Sequence, residues 1–272
     1  MPEIAEVETV RRVLKKNVLN KKIIDVKVLY PKMIESDLIF FKNILINNKF
    51  IDIKRIGKWL LFELDNHYLL SHLRMEGKYF IKNSSDEVLK HEHVIISFSD
   101  FTDLRYHDTR KFGKMSIVKK EDLYNVDAIK KQGIEPISEK LTKEYLFDNI
   151  SKKNIPIKTI LLDQTIISGL GNIYADEVLF YSNIFPLKKG SDITLDECKK
   201  IKDSSKKIIN NAIKHGGTTI KSYTSSLGVT GNYQTLLMVH KRENEKCKKC
   251  NTLIKRIKIG GRSTYYCPNC QK

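Results

Sequence analysis

The chain lacks any long hydrophobic run and contains little cysteine, proline or tryptophan. Its 272 residues include five cysteines, six prolines and one tryptophan. Because no stretch of roughly 18 apolar residues occurs, a membrane-spanning helix is not expected. The first residues are polar and acidic, unlike a secretory signal peptide. We therefore expect a cytoplasmic protein with no membrane partner.

Acidic residues are also scarce relative to basic ones. Lys and Arg number 49 against 32 Asp and Glu, so the formal net charge is +17. This excess favours a polyanionic partner, because each phosphate that a cation neutralises releases condensed counterions. The alternative is a lysine-rich solvated surface, as in a protein from an AT-rich genome. The length and the 41% apolar content suggest two domains with real cores.

Four of the five cysteines lie in the last 26 residues, and Cys198 stands apart. They form two Cys-x2-Cys pairs, between which residues 253–259 and 262–266 predict two strands joined at Gly260-Gly261. In a reducing compartment this spacing indicates one tetrahedral Zn²⁺ rather than disulfides. Because sulfur fills all four positions, the predicted site is closed and structural; four incidental thiols are the alternative. The predicted ligands are Cys247, Cys250, Cys267 and Cys270.

Hydrophobic periodicity predicts an N-terminal helix followed by strands. Apolar residues recur at three- and four-residue spacing from Ile4 to Val18, which is typical of a helix. From Ile23 to about Val118, short β-rich runs alternate with polar turns, which favours a β-sandwich capped by that helix. The clearest runs are residues 51–55, 59–64, 79–81 and 94–98.

Helical patterns follow a predicted linker at 131–136 and continue to about His215. Thr194 and Glu197 have the spacing of a capping box, which predicts a helix start. Residues 169–172 precede another predicted helix, whose free N–H groups could bind phosphate.

Pro2 and Glu3 have two interpretations. The first is an ordinary helix start, with proline at the first helical position and acids in the first turn. The second is an active site. Removal of Met1 would expose the secondary amine of Pro2, which can form an iminium with a sugar C1′. Glu3 would then act as a proton donor beside it, and Glu6 could share in the proton handling.

Five segments form a set of motifs in a fixed order. They are Pro-Glu-Ile-Ala-Glu-Val-Glu-Thr at 2–9, Arg-Met-Glu-Gly at 74–77, Asp-Thr-Arg-Lys-Phe-Gly at 108–113, Gly-Leu-Gly-Asn-Ile-Tyr-Ala at 169–175 and the four-cysteine ending. Together they resemble the bacterial formamidopyrimidine-DNA glycosylases, which excise 8-oxoguanine and ring-opened purines. The resemblance covers essentially the whole chain and favours the active-site interpretation of Pro2. Ala5 departs from it, since the family usually has a second proline there.

The resemblance implies a base-excision repair enzyme with two activities. It would excise an oxidised purine through a Schiff base on Pro2, with Glu3 as proton donor, and then cut the strand by β,δ-elimination. Lys58 would assist β-elimination, and Arg262, at the hairpin tip, would hold the lesion phosphate and help the final elimination. Without the resemblance, Lys58 would be interpreted as a surface lysine on a strand. Arg262, at the hairpin tip, could be a solvated charge, but on a basic protein it is also well placed to bind phosphate.

The resemblance also implies a set of DNA-binding side chains. Met75, Arg110 and Phe112 would fill the hole left by an everted nucleotide. Core packing for Met75 and Phe112, and a surface charge for Arg110, are the alternatives. Residues 222–234 match a loop that covers the flipped base. The other implied contacts are Glu6, His91, Lys153, Asn154, Lys158 and Asn172, and Asn154 stands where the family often has a basic residue.

The implied fold is α+β and has five regions. They are an N-terminal β-sandwich catalytic domain with its capping helix at 1–130, the linker at 131–136, a helix-two-turns-helix DNA-binding region at 137–220, a lesion-capping loop and connector at 221–240, and a β-hairpin zinc finger at 241–272. We expect a monomer that acts on damaged double-stranded DNA and associates with the bacterial nucleoid.

Two other functions stay open from the sequence. One is an endonuclease VIII-type glycosylase, which prefers oxidised pyrimidines and shares Pro2, Glu3, the lysine and the finger. Residues 6–9 and 216–219 resemble the purine-specific branch instead. The other is a zinc protein that binds DNA without catalysis. A retained Met1 or a blocked amine would support it.

Overall fold

The computed structural model describes residues 1–218 and 231–272. The chain divides into two compact units. Unit 1 comprises Met1–Lys130 with Gly216–Gly231, and unit 2 comprises Lys131–His215 with Asn232–Lys272. Most of the expected covering loop, residues 222–230, lies outside the described residues.

The described residues of unit 1 form a long N-terminal helix, two antiparallel four-stranded sheets and two short α-helices. The elements are α1 (Ile4–Val18), β1 (Ile23–Val28), α2 (Leu38–Leu45), β2 (Asp52–Ile56), β3 (Trp59–Glu63), β4 (His67–His72), β5 (Lys78–Asn83), β6 (Glu92–Phe98), β7 (Thr102–His107), β8 (Lys114–Lys119) and α3 (Asp127–Lys130). One sheet has the order β1-β6-β7-β5, and the other has the order β2-β3-β4-β8.

The core of unit 1 joins both sheets to one face of α1. Val7, Val10 and Leu14 of the helix belong to one buried cluster with Phe62 of one sheet and Phe98 of the other. The three- and four-residue spacing in α1 therefore buries an apolar stripe against strands, which anchors the helix that carries the N-terminal motif.

Unit 2 contains four helices and a two-stranded hairpin. Helix α7 begins with the predicted capping box: the Glu197 N–H donates to Thr194 Oγ1 at 3.2 Å, and the Thr194 N–H donates to Glu197 Oε2 at 3.0 Å. The elements are α4 (Lys143–Ile150), α5 (Ile157–Leu161), α6 (Asn172–Ser182), α7 (Leu195–Lys214), β9 (Lys255–Ile259) and β10 (Arg262–Tyr266).

The predicted α+β fold class is confirmed, with a two-sheet N-terminal part, a helical region and a C-terminal hairpin. Gly260 and Gly261 form the hairpin turn with φ of +53° and +77°, a backbone that favours glycine. The first hairpin strand begins at Lys255 rather than at 253. The five-region division stays a prediction. Among the described helices, none combines the length and apolar character needed to cross a membrane.

Candidate active site and nucleic-acid contacts

The N-terminal turn places Pro2 outside the first helix. Helix α1 begins at Ile4 with Glu3 as its N-cap, so Pro2 precedes the cap. Of the ordinary interpretation, the acidic first turn is present, with Glu6 in it, but the proline does not occupy the first helical position. Pro2 is half-buried, whereas Glu3 is 2% exposed. A half-buried residue ahead of a buried carboxyl residue is a suitable position for a nucleophile with a proton donor in the adjoining residue.

Glu6 connects the N-terminal turn to the segment after α7. Its Oε2 accepts the Glu3 backbone N–H at 2.9 Å, and its Oε1 accepts from Thr218 N and Thr218 Oγ1 at 2.8 and 3.0 Å. Gly217 passes so close that an added Cβ would lie 2.7 Å from Glu6 Oε1. Glu6 therefore fixes two backbone segments of unit 1, a role that its sequence position alone did not indicate.

Lys58 occupies a two-residue turn between β2 and β3. Ile56 pairs with Trp59, so Gly57 and Lys58 form the turn, and Gly57 has a φ of +56°. The Lys58 residue is 6% exposed. It is therefore not the solvated surface lysine that composition alone would favour.

His72 is a neutral neighbour of this turn. Burial, followed by the charges of Arg74 and Lys58, lowers the pKa of His72 to about 3. Its Nδ1 accepts the Arg74 backbone N–H at 2.9 Å, and its ring packs edge-on against Trp59. The imidazole of His72 therefore adds no positive charge near Lys58.

Asp108 organises the loop that carries two of the expected void-filling side chains. Its buried carboxylate accepts the backbone N–H groups of Arg110, Phe112 and Gly113 at 3.0, 2.9 and 2.8 Å. The Arg110 guanidinium carbon lies 4.7 Å from the centre of the Phe112 ring. Phe112 is 49% exposed and Met75 is 39% exposed. Core packing of these two side chains is therefore excluded.

His91 directly precedes β6 with a φ of +76°, an uncommon conformation for a residue other than glycine. Its ring lies 6.1 Å from that of His93 and 5.8 Å from that of His107, centre to centre. His93 is fixed by a 2.8 Å contact between its Nε2 and the Asp108 carbonyl oxygen. His91 is thereby connected to the loop that bears Arg110 and Phe112.

In unit 2, the three predicted phosphate contacts near α5 differ in exposure. Lys153 is half-buried and Asn154 is exposed, both in the turn before the helix. Lys158 is 0% exposed, and its Nζ donates to Asp176 and to the Asn172 carbonyl oxygen. An ion pair with Asp176 holds that ammonium within the unit, and the phosphate contact expected of Lys158 stays a prediction.

Asn172 connects α6 to the hairpin strand of Arg262. Its Nδ2 donates to the Ser263 carbonyl oxygen at 2.9 Å. Arg262 is exposed at the first position of β10, directly after the glycine turn. The first residue of the helix that follows the Gly-Leu-Gly turn therefore fixes the strand that carries Arg262, the expected phosphate-binding residue.

The four hairpin cysteines have the geometry of a zinc site. All four Sγ atoms lie within 4.8 Å of one another, with Cys247–Cys270 at 4.0 Å and Cys250–Cys267 at 3.4 Å. Four sulfurs at Zn–S distances of about 2.3 Å lie about 3.8 Å apart, which these values bracket. The cluster packs against Phe180 and Val239 of unit 2. The four cysteines predicted from their spacing are positioned to bind one zinc ion.

A buried carboxylate pair that the sequence did not indicate lies on α6. Glu177 accepts the N–H groups of Met238, Val239 and His240, and Asp176 contacts His240 Nδ1 at 2.7 Å. The pair fixes the connector that leads into the cysteine hairpin. Two consecutive acids inside an apolar helix were the available signal, because buried carboxylates require partners.

The two-sheet unit, the helical region and the four-cysteine hairpin correspond in chain order to the parts of a DNA glycosylase with a zinc finger, as matches to family models show. Three family models match the chain. They are the formamidopyrimidine-DNA glycosylase N-terminal domain at 1–115, the formamidopyrimidine-DNA glycosylase H2TH domain at 132–224, and a zinc finger found in FPG and IleRS at 244–272.

Full-length relatives and solved structures agree with these matches. The formamidopyrimidine-DNA glycosylase of Bacillus cereus is 43% identical over 100% of this chain and 99% of its own length, and that of Ureaplasma parvum is 42% identical over 100% of both. The Lactococcus lactis Fpg in complex with abasic-site DNA superposes with a TM-score of 0.94 at 38% identity, covering 99% of each chain. The same enzyme with DNA containing N7-benzyl-Fapy-dG gives 0.94 at 39% identity over 100% of each. The chain belongs to the formamidopyrimidine-DNA glycosylase family.

Proposed function

We propose that this protein is a base-excision repair glycosylase and abasic-site lyase that removes oxidised purines from duplex DNA. Family membership supports the reaction class, and the relatives solved with abasic-site and Fapy-dG DNA support the substrate class. The observation that carries the chemistry is the N-terminal turn, where Pro2 precedes helix α1 and the buried Glu3 and Glu6 adjoin it.

Pro2 is the nucleophile in this proposal. Hydrolytic removal of Met1 exposes the secondary amine, whose lone pair attacks C1′ of an everted nucleotide. The C1′–N bond to the base breaks, the base leaves with a proton, and the opened sugar remains bound to Pro2 as an iminium. Glu3 supplies the proton that sugar opening requires, and Glu6 holds the Glu3 backbone in place.

Strand cleavage follows from the iminium. Loss of a C2′ proton expels the 3′ phosphate by β-elimination, a step that the ammonium of Lys58 assists by stabilising the phosphate leaving group. A second elimination then expels the 5′ phosphate. Arg262 holds the lesion phosphate with a guanidinium fork, whose geometry suits two phosphate oxygens. Hydrolysis of the remaining iminium regenerates the Pro2 amine.

Access to C1′ requires that the damaged nucleotide leave the base stack. We assign the filling of the resulting gap to Met75, Arg110 and Phe112. The exposed side chains of Met75 and Phe112 can replace lost stacking, and the Arg110 guanidinium, which lies against the Phe112 ring, can satisfy the orphaned base. His91, Lys153, Asn154 and the amide of Asn172 are proposed to contact the backbone. For Lys158 we propose a position close to the phosphates, where the ion pair with Asp176 holds its ammonium.

The zinc ion has a structural role in this proposal. Cys247, Cys250, Cys267 and Cys270 would hold it, and when bound it supplies the folding free energy of the hairpin that carries Arg262. The protein would act as a monomer on damaged double-stranded DNA in the cytoplasm, associated with the nucleoid. Its net charge of +17 supports a polyanionic partner.

The substrate preference can be tested by single-turnover excision at fixed salt. Salt must be fixed because phosphate contacts vary steeply with ionic strength. We expect 8-oxoguanine opposite cytosine and formamidopyrimidines to be excised faster than thymine glycol. Arg110 supports this order, since it can donate to the acceptor edge of an estranged cytosine. Faster removal of thymine glycol would instead identify an endonuclease VIII-type enzyme, and no excision at all would identify a DNA-binding protein without catalysis.

A further inference from the structure

Glu8 lies at the centre of a buried charge network on α1. The residue is 7% exposed, and its carboxylate accepts from Arg11 at 2.8 and 3.0 Å, from Arg12 at 2.8 Å and from Arg55 at 3.2 Å. Burial acts to raise the pKa of Glu8, but the hydrogen bonds and charges of these arginines outweigh it and lower the pKa to about 2. The carboxylate is therefore ionised at every pH at which the protein would work.

Arg55 extends this network to the turn that carries Lys58. Its side chain is 6% exposed and reaches two acceptors: Nε donates to Glu8 Oε2 at 3.2 Å, and Nη1 donates to the Gly57 carbonyl oxygen at 2.9 Å. That carbonyl belongs to the peptide bond that joins Gly57 to Lys58. A two-residue turn has few accessible backbone conformations. Fixing this peptide plane therefore fixes the direction in which the Lys58 side chain projects from the backbone.

The same carboxylate holds β2 at a second point. Arg11 bonds Glu8 through Nε and Nη2 and donates from Nη1 to the Ile53 carbonyl oxygen at 3.1 Å. Through Arg11 and Arg55, Glu8 thus holds the strand and the turn against the helix that Glu3 caps. Arg12 differs, because its side chain is 55% exposed and its described hydrogen bond goes to Glu8 alone.

We propose that Glu8 and Arg55 are positioning residues that set Lys58 relative to the N-terminal turn through the Gly57 carbonyl. The proposal rests on the proposed function of Lys58 in β-elimination. Displacing a catalytic ammonium by about 1 Å can slow its reaction step by up to about 100-fold. The buried guanidinium fork of Arg55 is suited to prevent such a displacement, because its planar donors bond in a fixed geometry. Removing the fork should slow the step that uses Lys58 and spare the step that uses Pro2.

Two reactions on a duplex with a preformed abasic site separate these steps. Strand nicking under single-turnover conditions reports β-elimination, and the rate of borohydride cross-linking reports iminium formation. Arg55→Met keeps an unbranched side chain but has no donors, and we expect on the order of tenfold slower nicking with cross-linking within twofold of the parent. Arg55→Lys keeps one positively charged donor in place of a fork that reached two acceptors. Its nicking rate should therefore fall less than that of Arg55→Met. Arg12→Met is the matched control. It removes a mostly exposed partner of Glu8 but leaves the contacts to the Ile53 and Gly57 carbonyl oxygens, so it should change neither rate by more than twofold.

The Lys58→Ala background distinguishes positioning from general damage to the fold. If Arg55 acts through Lys58, Arg55→Met should slow nicking in the parent and add nothing in Lys58→Ala. An equal loss in both backgrounds, or equal losses of nicking and cross-linking, would overturn the positioning role while the proposed function stands. If Lys58→Ala by itself left nicking unchanged, the role of Lys58 in the proposed function would be wrong, and the positioning role with it. Thermal melting verifies that each variant is folded, and Arg55→Lys decides the matter if Arg55→Met is not.

Discussion

Replacing Phe112 by alanine should impair base eversion with little effect on the fold. The side chain is 49% exposed, so its removal costs roughly half of a full phenylalanine burial, about 1 kcal/mol of folding free energy. If the ring stacks in the vacated base site, truncation loses about 1–3 kcal/mol, taking base–aromatic stacking as the scale. That corresponds to roughly a 5- to 150-fold slower excision. The variant also loses the cation–π interaction between the Arg110 guanidinium and the Phe112 ring, which contributes about 0.5–1 kcal/mol at an exposed site.

The assay compares two substrates under single-turnover conditions. A duplex with 8-oxoguanine opposite cytosine requires eversion of a stacked base, whereas a preformed abasic site carries no base to unstack. Phe112→Ala should therefore lose most of its activity on the lesion duplex and less on the abasic duplex.

Phe101→Ala is the matched control for this substitution. Phe101 lies in the same unit, in the turn between β6 and β7, and is 79% exposed. It should leave both rates unchanged. Equal losses on the two substrates for Phe112→Ala would refute the reasoning, and so would equal effects of the two alanine variants.

Two further predictions concern the charge network and the zinc module. The folded-state pKa of Glu8, about 2, lies below the ordinary 4.5, so its contribution is full above pH 4.5 and is lost as pH falls toward 2. Glu8→Gln should therefore lower the free energy of unfolding by about 3 kcal/mol near neutral pH and by less than half of that at pH 3. Urea titration at the two pH values measures both losses, and equal losses would contradict the network. Zinc chelation or Cys247→Ser should unfold the hairpin and weaken binding of the lesion duplex. The sheets of unit 1 should keep their melting transition. Unchanged binding would show that the assigned role of Arg262 is wrong.

Regular patterns and compact motifs made much of the fold predictable. The α1 stripe, the α7 capping box and the glycine turn of the hairpin are each determined by neighbouring residues, and all three occur in the structure. Strand β7, Thr102–His107, was not assigned individually. Its polar residues Asp103 and Arg105 are buried and bonded to each other at 3.0 Å, so the apolar alternation that identifies a strand is weak there.

The site was predictable where a short motif contains the chemistry, and less so where distant residues meet. The spacing of the four cysteines was sufficient to predict a cluster, which the sulfur positions confirm. The contacts of Glu8 with Arg55, and of Glu6 with Thr218, depend on pairings across 47 and 212 residues that no local pattern encodes. Lys158 has a partner that its own motif did not indicate either: its ammonium is bonded to Asp176, 18 residues further along. The phosphate contact expected of Lys158 stays a prediction.

The central claim is that the amine of Pro2 forms the covalent intermediate, and borohydride trapping with peptide mapping tests it most directly. The intact mass should first show that Met1 has been removed. Incubation with an 8-oxoguanine duplex and borohydride should then reduce the iminium to a stable cross-link, and digestion should locate that cross-link at Pro2. A retained Met1, or a cross-link that maps to a lysine while Pro2→Gly remains fully active, would contradict the account.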